Sequence, residues 1–112
     1  MAARLTQEAI LDRAMQEDSL LHAVMDLLAY NRWLAHHVRR SDRGLQMGDP
    51  GYPDVIAARP PRLLVVELKR QEEKPFAAQE AWLDAYRAVP GIEVYVWRPS
   101  DYRTGIIEGV LK

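Results

Sequence analysis

The chain has 112 residues, enough for one hydrophobic core and too few for two. Its 48% hydrophobic and 28% charged content is that of an ordinary globular domain, which excludes disordered and fibrous classes. A formal net charge of -1, the absence of cysteine and the lack of any apolar run near the ~20 residues of a membrane span exclude a uniformly basic surface, disulfides, thiolate metal sites and a spanning helix.

The N-terminus has no apolar secretion core, so a cytoplasmic, membrane-free protein is expected. Thr6 can cap a helix that runs to about Asn31 with a break near Gln16. Leu20, Leu21, Val24, Leu27 and Leu28 follow the helical i, i+3, i+4, i+7 pattern, and Glu17 sits at the near end of that stripe. It should therefore point inward, although a first-turn carboxylate favoured by the helix dipole would look the same.

Trp33 to Val38 reads as a short strand with Trp33, Ala35 and His37 on one face and Leu34, His36 and Val38 on the other. The two adjacent histidines diverge, so at most one reaches any common site, and His22, His36 and His37 do not make a zinc centre. Arg32, Arg39, Arg40 and Arg43 face a single acid, Asp42, and form a local basic patch hidden by the near-neutral total. The stretch from Arg39 to Gly51 reads as a long irregular connection, a length that in compact domains is usually functional or disordered.

Asp54 to Ala58 is expected as a second strand, Arg59-Pro60-Pro61-Arg62 as a stiff turn, and Leu63 to Lys69 as a third strand in a hairpin with the second. Alternation places Glu67 and Lys69 on one face of the third strand. The hairpin brings Asp54 beside them, so two carboxylates and an ammonium gather on what reads as a sheet edge. Such a cluster suits a hard divalent cation and an activated water.

Pro75 fits the first turn of a helix reaching about Ala88, with Lys74 at its expected N-cap. Gln79 lies three, four and seven residues before Trp82, Leu83 and Tyr86, a polar group on an otherwise apolar stripe. Trp82 and Trp97 are expected in the core rather than as platforms for bases, and Tyr52 either packs locally or contacts DNA. Pro90-Gly91 ends the helix, Ile92 to Arg98 forms a fourth strand, and Ser100 caps a last helix after Pro99. The third and fourth strands, joined through a helix, should be parallel.

Inward-facing Glu17 and Gln79 each need a polar partner, since burying such a group alone costs roughly 1 to 3 kcal/mol. The cluster of Asp54, Glu67 and Lys69 can supply it. Pro53-Asp54 with Glu67-Leu68-Lys69 resembles the signature of PD-(D/E)xK nucleases. Together with Glu17, Gly51-Tyr52, Gln79-Glu80-Ala81-Trp82-Leu83 and Val96-Trp97-Arg98-Pro99-Ser100-Asp101, it resembles the VRR-NUC (virus-type replication-repair nuclease) family from about Met15 onward.

The resemblance implies an α/β, restriction-endonuclease-like core with a mixed four-stranded sheet flanked by helices in the order αβββαβα. Residues 1–112 would be one such domain, with 1–14 as an N-terminal helical extension. It also implies a DNA endonuclease in which Asp54, Glu67 and the carbonyl of Leu68 hold Mg2+ or Mn2+, and Glu17 binds a second ion directly or through water. Lys69 would hold or help deprotonate the attacking water and Gln79 would orient that water or Lys69; a 3' oxygen would leave, and a 5' phosphate would remain. Branched DNA such as a Holliday junction is the implied substrate and a homodimer the implied assembly. His37, Arg39, Arg40 and Arg43 are the candidate DNA contacts. The rivals are a non-cleaving DNA-binding or scaffold subunit, and a nuclease for flaps, single strands or RNA.

Overall fold

The computed structural model describes residues 5–38 and 47–112. Thr6 caps α1 (Gln7–Ala14) as its sequence suggests, its hydroxyl oxygen accepting the N–H of Ala9 at 3.0 Å. The chain breaks at Met15 and Gln16 and resumes as α2 (Glu17–Tyr30). Leu20, Val24 and Leu28, the i, i+4, i+8 line of that helix, are fully buried. Asp12 of α1 also turns inward, where Arg103 grips both its oxygens at 2.9 to 3.1 Å and so docks the N-terminal helix.

Four strands follow the predicted order: β1 (Leu34–His37), β2 (Val55–Arg59), β3 (Arg62–Leu68) and, after α3 (Ala77–Arg87), β4 (Ile92–Trp97). They lie side by side as β1-β2-β3-β4, with β1–β2 and β2–β3 antiparallel and β3–β4 parallel. The fold is therefore the mixed four-stranded sheet flanked by helices that the sequence implies. Asp54 stands one residue before β2 and Lys69 one residue after β3, each just outside the strand expected to hold it. The Glu67–Lys69 segment is also not on a sheet edge. β3 has a neighbour on each side, and every residue from Leu64 to Lys69 is buried.

Burial of both faces divides the layers. Leu64, Val66 and Leu68 pack with α2, Val55, Ala57 and Trp97 in the main core, which Ile107 and Leu111 close. Val65 and Glu67 leave the opposite face, where α3 lies, tied to Glu67 through Gln79.

Two helix starts differ from expectation. The cap of α3 is Phe76, with Pro75 and Lys74 before it rather than in the first turn and at the cap. Phenylalanine has no oxygen to offer, and the side chain of Gln79 instead accepts the Phe76 N–H at 2.8 Å, the reciprocal half of a capping box. The C-terminal helix is two pieces, α4 (Pro99–Arg103) and α5 (Ile106–Leu111), hinged at Gly105 with φ of 81°. Arg98, not Ser100, occupies the cap of α4, with Asp101 accepting its N–H at 2.8 Å and Pro99 opening the first turn.

At the end of the sheet opposite Asp54, the Arg59 and Arg62 guanidiniums lie 4.5 and 4.9 Å from the ring centroid of Trp33. They donate to the carbonyls of Val110, Leu111 and Lys112, while the Trp33 indole also donates to Leu111. The terminal carbonyls of α5 thereby find donors that its own turns cannot provide.

Candidate active site

The hairpin register places the acidic residues. Val55 pairs with Val66, so Asp54, one step back, comes opposite Glu67, one step forward. The Asp54 carboxylate accepts the backbone N–H of Leu68 at 2.8 Å, which fixes it against β3 at the Glu67–Leu68 peptide. Glu67 is fully buried, Lys69 is 2% exposed and Asp54 8%.

Glu67 and Lys69 share a face as alternation requires, with Nζ 4.0 Å from Oε1. The same Oε1 accepts Gln79 Nε2 at 3.2 Å. Gln79 therefore uses both ends of its amide: the oxygen caps α3 at Phe76 and the nitrogen holds Glu67. Phe76 completes the ring of contacts, its aromatic face 4.7 Å from the Lys69 ammonium. A cation against a π face is attracted by the ring quadrupole. Four of the five expected catalytic residues, Asp54, Glu67, Lys69 and Gln79, are thus joined at one end of β3. Phe76 was missed, since an aromatic residue before a helix carries no distinctive spacing.

Gly51 adjoins this group with φ of 89°. A β-carbon there would lie 2.5 Å from the Ala78 carbonyl carbon, so glycine is needed for the Pro53-Asp54 turn to pass under α3. Tyr52 packs locally, its hydroxyl 2.9 Å from that of Tyr86 and its ring edge-on to Trp82 at 4.8 Å. Burial, then the bond to Tyr86, pushes the Tyr52 hydroxyl up to about 12, so it stays neutral at physiological pH. Trp97 is in the core at 2% exposure, but Trp82 is only half-buried.

By register His37 lies opposite Val55 and shares the core-side face of Val66, whereas His36, in line with Ile56 and Val65, is on the face from which Glu67 leaves. Since the Asp54 carbonyl can only accept, the His37 Nδ1, 3.1 Å from it, carries the proton. The same carbonyl accepts the Val38 N–H at 2.9 Å, tying β1 to the Asp54 turn. Glu17, the first residue of α2, is half-buried and opens onto a cleft shared with Gln16, Asp18, Arg70 and Glu73, beyond the end of β3. Among the described residues, no three histidine or carboxylate side chains close into a metal-holding group. Arg39, Arg40 and Arg43 lie outside the described residues.

A solved structure described as a VRR_NUC domain superposes on this chain with a TM-score of 0.62, covering 83% of this chain and 96% of that one. The protein has the fold of a VRR_NUC domain. The two sequences are 18% identical. No protein-family model matches the sequence, and no curated protein does. No helix among the described residues is long and apolar enough to cross a membrane.

Proposed function

We propose that this VRR_NUC-fold protein is a divalent-metal-dependent DNA endonuclease that cuts branched DNA. The observation that carries the proposal is the joining of Asp54, Glu67, Lys69 and Gln79, from separate segments, at the end of a central strand. Burying two carboxylates and an ammonium costs several kcal/mol per ion unless each is compensated, so a fold retains such a group for a purpose more readily than by accident.

The donors fit a hard cation. Two carboxylates held nearly out of water, with the Leu68 carbonyl, are the oxygen set that Mg2+ or Mn2+ takes while keeping several waters. When bound, the ion supplies Lewis acidity toward the phosphate and acidifies a bound water. The protein's own residues do the rest. Asp54, pinned by Leu68, and Glu67, pinned by Gln79, present oxygens that need no reorganisation. Lys69 holds the attacking water and donates to the developing phosphate charge, and the Phe76 ring keeps its ammonium from swinging into solvent. Attack on phosphorus expels the 3' oxygen and leaves a 5' phosphate. Glu17, at the start of α2 on the cleft beyond the end of β3, is proposed to serve a second ion directly or through water.

His37, Arg39, Arg40 and Arg43 are proposed to contact phosphates, which positions the duplex without reading its sequence. Symmetrical incision of a four-way junction needs two active sites, so a homodimer is proposed as the working form. The test is incubation of the protein with labelled four-way junction, flap, duplex and single-stranded DNA, each with Mg2+, Mn2+ or chelator. Metal-dependent cutting of the branched substrates is expected. Binding without cutting on all of them would make the protein a scaffold instead.

A further inference from the structure

Trp82 stands on α3 one turn beyond Gln79, and nothing in the proposed phosphodiester chemistry needs an indole there. Trp33 and Trp97 are 5% and 2% exposed and belong to the core, whereas Trp82 keeps part of its surface open. Its orientation is set from three sides. Nε1 donates to the Asp49 carbonyl at 3.3 Å, Tyr52 meets it edge-on, and the Tyr86 ring lies 5.9 Å away, itself held by the Tyr52 hydroxyl. A ring fixed in this way loses little freedom when something stacks on it.

The space beside it has the size of a small-molecule site. A cavity of about 640 Å³ is lined by Met47, Gly48, Asp49, Pro50, Tyr52 and Trp82, together with Val38. That volume lies within the ~300 to 1,000 Å³ of small-molecule sites. It shares Val38, Pro50 and Tyr52 with a second cavity of about 300 Å³ that reaches Phe76 and Gln79. The two adjoin along these residues and together run from Phe76 and Gln79 to the indole. A third, of about 340 Å³, lies along Ala78, Ala81 and Ala85 and also uses Trp82, so the indole borders open space on more than one side.

We infer that the cavity beside Trp82 takes an unpaired base of the DNA strand being cut, stacked on the indole. The inference rests on the nuclease reading and names the substrate feature it selects. Every base has a π face, so an aromatic platform accepts any of them without sequence preference. A base already unpaired at a flap, a strand end or a junction crossover enters without the few kcal/mol needed to extrude one from a duplex. Continuity with Gln79 makes the guest a near neighbour of the phosphate being cut. Selection of branched over continuous DNA then arises inside one domain.

The experiment uses the intact protein with chelator present, and junction and flap DNAs carrying 2-aminopurine at single positions around the branch. Wild-type protein is expected to quench the probe strongly at one position. Replacing that base with an abasic site should weaken wild-type binding about 5- to 150-fold, the fold-change of one aromatic–base stack. Trp82→Leu should lose the quenching, bind weaker by a similar factor and be indifferent to the abasic site. The abasic comparison needs no variant, so it holds even if Trp82→Leu folds poorly. Equal wild-type affinity with and without the base, or full quenching by Trp82→Leu, would overturn the inference. Metal-dependent cutting with no effect of base or indole leaves the nuclease and removes the pocket; base-dependent stacking without cutting does the reverse. Absence of any DNA binding removes both.

Discussion

The carboxylate of Asp54 accepts the backbone N–H of Leu68 at 2.8 Å, so the first acid of the site is held by the same peptide that follows the second acid, Glu67. One bond thus has two duties, since it closes the open end of the hairpin and aims a carboxylate. The duties separate by substitution. Asp54→Asn keeps a carbonyl oxygen for Leu68 and should melt within about 0.5 kcal/mol of wild type, the range of tolerated changes. Asp54→Ala strands a buried donor and should cost roughly 1 to 3 kcal/mol. Both should lose detectable cutting. Thermal melts beside cleavage assays check this, and cutting by Asp54→Asn at wild-type rate would remove Asp54 from the chemistry.

A cation that binds the folded protein alone must also stabilise it, independently of any activity. At a concentration about 100 times its dissociation constant the gain is ~2.7 kcal/mol. Titration with Mg2+ or Mn2+ should therefore raise the melting temperature of wild type. The rise should vanish in Glu67→Gln, whose neutral amide is a poor ligand for a hard ion. A rise of equal size in Glu67→Gln would place the ion elsewhere.

Gln79 joins helix start to active site, and its loss should be felt in both. Gln79→Ala frees the Phe76 N–H and withdraws the donor from Glu67. The expected cost is ~0.5 to 2 kcal/mol, the range of a lost cap, together with slower cutting. Gln79→Glu keeps the acceptor for Phe76 but sets a second carboxylate against Glu67. It should therefore cut less well than Gln79→Ala while capping better. Urea unfolding and single-turnover cleavage of the two variants test the order.

Away from the site, Arg62 donates to both oxygens of Glu93 at 2.8 Å, and Tyr95 donates to one of them at 2.7 Å. The Arg62 bonds, chiefly, hold the Glu93 carboxyl below its ordinary value of 4.5. A depressed carboxyl stabilises the fold above that ordinary value and stops doing so as pH falls through its lower, folded one. Wild type should exceed Glu93→Gln in urea midpoint at pH 7, and the gap should narrow as pH falls below 4.5 and close once the carboxyl has passed its lower, folded value. A gap that stays constant with pH would show that the ion pair contributes only shape.

Much of this molecule is readable because its signals are local. The apolar run Leu63 to Val66, resumed at Leu68 after Glu67, announces a strand, and the Pro60-Pro61 turn announces the hairpin that brings Asp54 to Glu67. What escaped depends on neighbours distant in sequence. Strand order, which makes β3 central, is decided by the β3–β4 crossover rather than by anything within β3. Phe76 is a poor cap by composition and becomes one because Gln79 serves it. Trp82 lies on an apolar stripe, yet the Asp49–Pro50 segment leaves part of it open. The Trp33, Arg59 and Arg62 stack was invisible because its acceptors, among them the carbonyls of Val110, Leu111 and Lys112, lie far away in sequence. Glu17 begins an apolar stripe as read, but the cleft it faces is set by how the turn after β3 folds back.

Gly51 offers the sharpest test of how the turn and α3 depend on each other. At φ of 89° its backbone is one that L side chains rarely adopt, and an added methyl would sit 2.5 to 2.7 Å from Ala78 and the Gln79 nitrogen. Neither neighbour is a flexible side-chain end, so relief requires the Gly51 turn or the first turn of α3 to move. Gly51→Ala is expected to cost about 1 to 3 kcal/mol from backbone strain. Movement of α3 carries Gln79 from Glu67; movement of the turn carries Asp54 from Leu68. Cutting should consequently fall at temperatures where the variant is still fully folded by circular dichroism. Gly91→Ala is the control, since its φ of 85° imposes strain but open space surrounds the site of the methyl. If both variants lose stability and activity equally, strain alone is responsible and the close approach of Gly51 to α3 does not position the site.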